Sequence, residues 1–175
     1  MLVTGLICAL AVAAAFLVFG PFGRSELKFL HIAADGNFEI RFPGEPRRKQ
    51  PKGTPMAQLS YEDDEEAVWF AVTYGNIGDE FQREDEIFDH YLKTLLWTPG
   101  DKSRKEKEVW LHGRYPGRET QAIRPPGKFG IASMIRSRVY LVDKVVYALC
   151  VFSHETWKKW HLADEFFDSF RLTKR

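Results

Sequence analysis

An uncharged N-terminal stretch constrains this chain more than any other feature of its sequence. None of the 25 basic and 24 acidic residues lies within residues 1–23, and only Thr4 and Gly5 interrupt the long apolar run there. A helix made from that run would span about 27 Å, close to the roughly 30 Å of a bilayer core. We therefore expect a transmembrane anchor at 1–23, a tether at 24–35 and one folded domain at 36–175.

The same stretch has an alternative interpretation as a cleaved secretory signal. Such a signal has a basic start and a small-residue cleavage site, whereas here only the α-amino group precedes the apolar run, and apolar residues follow the small residues at 11–15. These features favour a retained anchor and a single-pass membrane protein. Arg24 and Lys28 follow the span, and the positive-inside rule applied to them alone would place the domain in the cytoplasm.

The chain after residue 23 has the composition of one soluble domain. About a third of its residues are charged, yet the protein has 14 Phe, 5 Trp and 6 Tyr, which is enough apolar surface for a core. The formal net charge of +1 argues against a nucleic-acid partner, because domains that bind nucleic acid usually have a marked basic excess. Cys8 lies in the apolar stretch and Cys150 in the domain, so no disulfide forms within the domain.

Seven segments have the pattern of β-strands and two have the pattern of helices. Alternation or dense β-forming residues predict strands at 37–42, 56–61, 67–74, 106–112, 118–124, 130–142 and 144–152. Apolar spacing near 3.6 predicts helices at 80–97 and 154–170. Because short turns join consecutive strands, the strands pair antiparallel. The sequence thus predicts an α+β domain with one twisted, mostly antiparallel sheet of about six to seven strands and two main helices.

Details of this arrangement follow from single segments. The hairpin at 139–152 is dense in β-formers, so we expect it at the centre of the sheet. Ser153 is the expected N-cap of the second helix. The stretch 47–55 is expected to be an exposed connection, 62–66 a solvated acidic hairpin tip, and 171–172 a terminal extension.

Four short motifs, in this order and spacing, resemble a known group of proteins. They are FEIRFPGEP at 38–46, YPGRE at 115–119, RVYLV at 138–142 followed by VY, and FFDSF at 166–170. Together they resemble uncharacterised membrane-anchored or exported bacterial proteins with a PsbP-like domain, over residues 36–172. The resemblance implies an α/β/α sandwich, an extracytoplasmic domain, and a binding or assembly role without catalytic residues.

Sequence motifs of the common enzyme classes are missing from the chain. It has no P-loop, dinucleotide-binding, nucleophile-elbow, HExxH or CxxC motif. His154 and His161 are spaced at i and i+7, whereas a helical metal pair prefers i and i+4. Cys150 lies in an apolar strand, which favours an inert thiol over a nucleophile. Glu108 and Glu119 stay as the acids that an unrecognised enzyme would use, but we predict no enzymatic activity, cofactor or metal.

Two kinds of surface are candidates for binding. Trp69, Trp97 and Trp110 lie near the ends of predicted elements, where exposed aromatic residues would mark a partner or ligand site. Two basic clusters are either solvated loop charge or contacts with anionic lipid headgroups. The first contains Arg47, Arg48, Lys49 and Lys52, and the second contains Lys102, Arg104, Lys105 and Lys107.

These observations combine into one functional prediction and one alternative. The prediction is a non-enzymatic binding or accessory domain, held at a membrane by residues 1–23, with a protein partner and no nucleic acid. The alternative is a carrier of a small molecule or lipid that uses an aromatic-lined cleft between the sheet and the helices.

Overall fold

Ten strands and two helices make up the part of the chain that the structure describes. The computed structural model describes residues 26–50, 56–77, 83–92, 100–126 and 130–173. The strands are β1 (Phe29–Ala33), β2 (Phe38–Phe42), β3 (Arg47–Lys49), β4 (Ala57–Asp63), β5 (Val68–Asn76), β6 (Lys102–Leu111), β7 (Tyr115–Arg124), β8 (Ser133–Val142), β9 (Val145–His154) and β10 (Arg171–Leu172). The helices are α1 (Glu84–Tyr91), after β5, and α2 (His161–Ser169), after β9.

Seven of the strands form a single antiparallel sheet. Their order is β3-β4-β5-β9-β8-β7-β6, and every neighbouring pair runs antiparallel. β9 is the central strand, and it is apolar along most of its length because both faces of the sheet are covered there. The α+β class, the antiparallel sheet and the central position of the hairpin at 139–152 are therefore confirmed.

A second sheet of three strands was not predicted from the sequence. Its order is β1-β2-β10, and both outer strands pair antiparallel with β2. The segment 24–35, which we expected to be a tether, contains β1, whose Phe29 pairs with Phe42 and whose Ala33 pairs with Phe38. The terminal extension at 171–172 forms β10. The expected number of strands rises from seven to ten because β1, β3 and β10 are short and find their partners only in the folded chain.

Aromatic rings join the small sheet and α2 to one face of the large sheet. The Phe38 ring of β2 lies 4.9 Å from the Tyr74 ring of β5 and 5.3 Å from the Phe170 ring that follows α2, measured between centroids. The Phe166 ring of α2 lies 5.2 Å from Phe42 and 5.3 Å from the Phe70 ring of β5. Edge-to-face pairs of this kind add to the stabilisation from apolar burial.

Helix α1 covers the opposite face of the large sheet. Its buried Ile87 and Phe88 share a second core cluster with Val139 of β8 and with Ala148 and Cys150 of β9. The layers therefore run from α1 through the seven-stranded sheet to α2 and the small sheet. This is the α/β/α arrangement that the resemblance implies, with the small sheet added to one outer layer.

The second helix begins seven residues later than we predicted. β9 continues to His154, which pairs with Ser133, so Ser153 belongs to the ladder and does not cap α2. The Ser153 hydroxyl instead donates a hydrogen bond to the carbonyl of Ala67 at 3.2 Å. Residues 155–160 form turns and a short irregular stretch, and Trp157 and Trp160 pack on the aromatic core from there. Residues 153 and 154 are therefore in a strand and not in the helix, because they continue the hydrogen-bonded ladder of the central strand β9.

The acidic tip at 62–66 is only partly solvated, which differs from our expectation. An Asp63 carboxylate oxygen accepts the backbone N–H groups of Glu65 and Glu66 at 3.0 and 3.1 Å. The Glu66 carboxylate accepts hydrogen bonds from Lys159 Nζ at 2.6 Å and from Trp157 Nε1 at 3.0 Å. These bonds lower the pKa of Glu66, with the Lys159 contact as the largest cause. The tip thus fastens the segment ahead of α2 to the β4–β5 turn.

The predicted membrane anchor at 1–23 lies outside the described residues and stays a prediction. Within the described ranges, neither α1, with 8 residues, nor α2, with 9, is long or apolar enough to cross a bilayer. Both helices belong to the packed layers of the domain.

Phe166→Ala should lower the free energy of unfolding by about 3–5 kcal/mol, because it leaves a cavity where α2 meets both sheets. The ring is 0 % exposed. Chemical denaturation of the full chain in a mild detergent, followed by tryptophan fluorescence, measures the change. Ile131→Ala is the control, since that side chain is 53 % exposed, and it should change the free energy by less than about 0.5 kcal/mol. Equal effects of the two changes would contradict the assignment of this core.

Candidate functional site

The most exposed tryptophan of the described residues lies on an edge of the large sheet. Trp110 of β6 is 59 % exposed. Alternation along β6 places it on the same face as Glu106 and Glu108, the face that α1 covers. The first turn of α1 has three acidic residues, of which Glu84 and Asp85 line one cavity with Trp110. We call this region the acidic aromatic surface, and it consists of Trp110, Glu84, Asp85, Glu86, Asp89, Glu106 and Glu108.

Arg118 of β7 forms ion pairs with three carboxylates of the acidic aromatic surface. Its guanidinium nitrogens lie 3.1 Å from carboxylate oxygens of Asp85, Asp89 and Glu106. The same guanidinium lies over the Phe88 ring, 5.3 Å from the centroid. The Arg118 side chain is 19 % exposed, so most of its surface contacts other residues of the domain. Arg118 therefore joins α1 to β6 and β7 and defines the spacing of the carboxylates.

The charge of this surface is strongly negative although the net charge of the protein is +1. Its six carboxylates face two guanidinium groups, those of Arg118 and of Arg83, which lies 3.4 Å from Asp85. A net charge of −4 results. Glu84, Glu86 and Glu108 are exposed and have no ion-pair partner among the described residues. A cavity of about 130 Å³ lies between α1 and the β6–β7 hairpin, and Glu84, Phe88 and Trp110 are among its lining residues.

The other two predicted tryptophans do not join this surface. Trp69 lies in β5, partly buried and packed against the second core cluster. The strand order separates β5 from β6 by four interstrand spacings, roughly 19 Å. Trp97 lies outside the described residues. Trp97 and Trp69 stay candidates for a partner or ligand site, and the structure brings acidic residues of α1 to Trp110.

The two predicted basic clusters lie on opposite edges of the large sheet. Arg47, Arg48 and Lys49 form β3, the first edge, and all three are exposed. Lys52 lies outside the described residues. Lys102, Arg104, Lys105 and Lys107 belong to β6, the other edge. Six interstrand spacings, roughly 29 Å, separate these edges. The clusters do not form one patch, and their contact with lipid stays a prediction.

Glu119, one of the acids left open for an enzyme, is held in a charged network. Its carboxylate oxygens lie 2.5 Å from Arg138 Nε and 3.2 Å from Lys107 Nζ. Arg138 also donates to Asp168 of α2 at 2.7 Å. Burial alone would lower the pKa of Arg138, but its hydrogen bonds to Asp168 and Glu119 raise it. Glu119 thus helps to fix α2 on β7 and β8, whereas Glu108 is exposed.

No catalytic or metal-binding group is assembled within the described ranges. The Cys150 thiol is buried, and burial raises its pKa to about 12, so the nucleophilic thiolate is scarce at neutral pH. No cluster of three or more His, Cys, Asp or Glu side chains in those ranges has the geometry to hold a metal ion.

A polar cavity at the β1–β2 turn was missed by sequence reasoning. Its volume is about 240 Å³, and its lining includes Asp35, Asn37, Arg48, Tyr74 and Tyr147. The Asp35 carboxylate accepts from Tyr74 Oη at 3.1 Å and from Arg48 Nη2 at 2.5 Å. Asn37 has a φ of +54°, and its buried Oδ1 has no hydrogen-bond partner among the described residues. No sequence signal joins these residues, because they come from five separate positions along the chain.

The carrier alternative requires an aromatic-lined cleft between the sheet and a helix, and one described cavity of about 320 Å³ has aromatic residues in its lining: Tyr61 of β4, Phe70 of β5 and Trp157, with the charged Glu66 and Lys159 at the same cavity. Phe166 and Phe170, at the end of α2, are fully buried. Phe166 packs on Phe70 of the large sheet, and Phe170 packs on Phe38 of the small sheet. The cavity at the β1–β2 turn is lined mostly by polar groups, and the cavity beside Trp110 has a mixed lining of charged and apolar residues. The carrier alternative stays a prediction.

Tyr74→Phe should reduce the loss of stability at alkaline pH. Burial, followed by the hydrogen bond to Asp35, raises the pKa of Tyr74 from 10.0 to about 12. The folded state therefore favours the neutral phenol, and the resulting stabilisation is complete below pH 10.0 and is lost as the pH rises towards about 12. Denaturation of both proteins across that range measures the effect. An unchanged alkaline dependence in Tyr74→Phe would contradict the assignment.

Comparison with known proteins identifies the fold. No protein-family model matches the chain, and no curated protein matches its sequence significantly. The cyanobacterial PsbP (CyanoP) of Synechocystis sp. PCC 6803 is similar in structure, with a TM-score of 0.59 and 13 % identity over 87 % of this chain and 96 % of that chain. The Ran-binding protein Mog1p of Saccharomyces cerevisiae has a TM-score of 0.54 and 11 % identity over 83 % and 95 %. At such low identities the likeness shows the fold alone, and this domain has a PsbP-like α+β fold.

Proposed function

We propose that this protein is a non-enzymatic binding domain, anchored in a membrane by residues 1–23, that binds a basic segment of a protein partner. The binding site is the acidic aromatic surface. The observation that carries the proposal is the 59 % exposure of Trp110 on an edge strand beside six carboxylates. Tryptophan is among the residues that most often dominate the binding energy of a protein interface.

The exposed indole supports a protein partner. Trp is enriched among residues that dominate binding energy, because it buries a large apolar area and still offers an N–H donor. Its face also attracts cations by a cation–π interaction. A partner that covers Trp110 would remove this apolar area from water and place basic side chains close to Glu84, Glu86 and Glu108.

Arg118 shows how this surface accommodates a guanidinium group. Within the domain, that group meets carboxylates of α1 and β6 at 3.1 Å and lies over the Phe88 ring. A partner arginine between Glu84, Glu108 and the Trp110 ring would make the same two kinds of contact. Charge-assisted hydrogen bonds of Arg to carboxylates are about twice as strong as neutral ones. The chemistry therefore favours Arg- or Lys-containing segments.

The absence of assembled catalytic groups in the described ranges supports a binding role over catalysis. Cys150 is buried as a thiol, and Glu119 is consumed by arginines and a lysine. Among proteins of this fold, Mog1p is described as Ran-binding. Fold analogy adds weight to a binding role without identifying the partner.

The membrane part of the proposal rests on residues 1–23 and on the resemblance to anchored or exported proteins. We place the domain on the extracytoplasmic side, as that resemblance favours. Removal of residues 1–23 should release the protein from the membrane fraction, measured by flotation of membranes on a density gradient. A full chain that alkaline carbonate extracts from the membranes would contradict the anchor, because a transmembrane segment resists that treatment and a surface contact does not.

Trp110→Ala should weaken binding of the partner by about 2 kcal/mol or more, which is roughly a 30-fold loss of affinity. Proteins bound to the full chain are captured from its own membranes, and the partner so identified is titrated against both proteins. Glu108→Lys should also weaken binding, and raised salt should weaken binding to the unmodified chain, because the attraction is partly electrostatic.

Ile131→Ala is the matched control, since Ile131 is also a large exposed apolar side chain, at 53 %. The control should bind the partner with unchanged affinity. Unchanged affinity of the partner for the Trp110→Ala and Glu108→Lys variants would contradict the proposal that this surface is the binding site. Turnover of any substrate in broad hydrolase and transferase panels would contradict the non-enzymatic role.

A further inference from the structure

We propose that the edge of the domain formed by β1 and β3 lies against the bilayer, with Leu30 and Ile32 in its interfacial region and lipid as the occupant of this surface. This inference rests on the proposed anchoring by residues 1–23. It adds that the domain itself contacts the membrane, and that one of the two basic edges makes this contact.

The apolar exposure at β1 is concentrated in a short stretch. Phe29 is 44 %, Leu30 51 % and Ile32 60 % exposed, whereas the other large exposed apolar side chains of the described residues, Trp110 and Ile131, lie far apart in the chain. Single exposed apolar residues are normal on a soluble surface, but a contiguous patch marks an interaction site. Leu30 and Ile32 share the outward face of β1 and form such a patch, whereas Phe29 lies on the other face and pairs with the buried Phe42.

The register shows that Leu30 and Ile32 do not point into the core. Leu30 pairs with Arg41 and Ile32 with Glu39, on the outward face of the small sheet, while Ala33 pairs with the fully buried Phe38 on the inward face. Among the described strands, β1 pairs with β2 alone and is therefore an edge strand. An apolar edge strand left in water would promote association between chains. A cover for β1 is therefore required.

The position of β1 in the chain indicates that the cover is lipid. Five residues lie between Gly23, at the end of the apolar stretch, and Phe29, so six Cα–Cα steps join the two positions. Even a fully extended chain of that length reaches only about 20 Å. With residues 1–23 in a bilayer, β1 cannot leave the neighbourhood of the membrane surface. Apolar side chains at that height insert their surface at the boundary of headgroups and acyl chains.

Basic residues next to β1 support the same orientation. Lys28 precedes β1, and Arg41 projects from β2 beside Leu30; both are exposed. β3 is brought to this side by Arg48, whose Nη2 lies 2.5 Å from the Asp35 carboxylate just after β1. Asp35 balances Arg48. Arg47 and Lys49 alternate with Arg48 and therefore lie on the other face of β3, but both are exposed on the edge strand itself, and the proposal has them meet headgroups when that edge lies against the bilayer. Each such residue contributes about 1 kcal/mol near an anionic leaflet.

The second basic cluster is placed away from this contact. β6 lies six strand spacings from β3, roughly 29 Å across the sheet. Both faces of the sheet between them are covered by other layers. A bilayer against the β1–β3 edge therefore leaves β6, with Trp110, directed away from the membrane and accessible to a partner.

The test uses the full chain with Cys8→Ala in nanodiscs of phosphatidylcholine and phosphatidylglycerol. An environment-sensitive dye is attached to Ile32→Cys or, as the matched control, to Ile131→Cys; Cys150 is buried and does not compete for the dye. Nitroxide-labelled lipids should remove most of the fluorescence of the dye at 32 and leave the dye at 131 unchanged. Equal quenching at both positions overturns the proposal.

A photoreactive side chain at Leu30 distinguishes lipid from other occupants. Adducts with lipid, found by mass spectrometry, support the proposal. Cross-links to residues 1–23, to a second copy of the chain or to another protein in native membranes overturn it. If the chain associates with nanodiscs but position 32 is not quenched, this inference fails and the anchor stands. If the chain does not associate with nanodiscs, the anchor fails and this inference fails with it.

Discussion

The contact of phenylalanine rings between β2 and α2 is the interaction on which the rest of this domain depends. Phe38 and Phe42 project from β2 onto the rings of Phe170 and Phe166, which also contact the large sheet. β1 and β10 pair with no described strand except β2. The packing of β2 on these rings therefore fixes the position of the whole small sheet. The exposed patch on β1 exists because β2 is fixed there.

Charge in this protein is separated in space although it is balanced in sum. Guanidinium groups of β7 and β8 take up the acidic residues that face them, as Arg138 does with Glu119 and Asp168. Among the described residues, exposed carboxylates without such partners lie at α1 and at Glu108 of β6. A net charge of +1 therefore conceals an acidic surface beside Trp110, although β6 itself also contains lysines, whose Lys105 and Lys107 alternate onto the other face of that strand. With the β1–β3 edge at a membrane, this acidic surface would face away from it.

The central hairpin and the aromatic helix could be predicted from the sequence because each contains its own signal. The residues of β9 are apolar and β-forming over nearly their full length, and such a strand belongs in the middle of a sheet. β3, with the sequence RRK, has no signal of its own and is a strand only because Gln58, Leu59 and Ser60 pair with it. The start of α2 was misplaced because the ladder to Ser133 extends β9 through residues that also suit a helix.

For the candidate site, too, some features could be predicted from the sequence and others could not. The sequence by itself determined the uncharged N-terminal stretch, the α+β class, the antiparallel pairing and the choice of Trp110 as a candidate, since each follows from residues that are close together in the chain. Only the tertiary structure decided that Trp110 is exposed beside α1, that Glu119 is consumed by arginines, and that the basic clusters lie on opposite edges. The physical reason is that exposure and ion pairing depend on strand order and register, which join residues far apart in the chain.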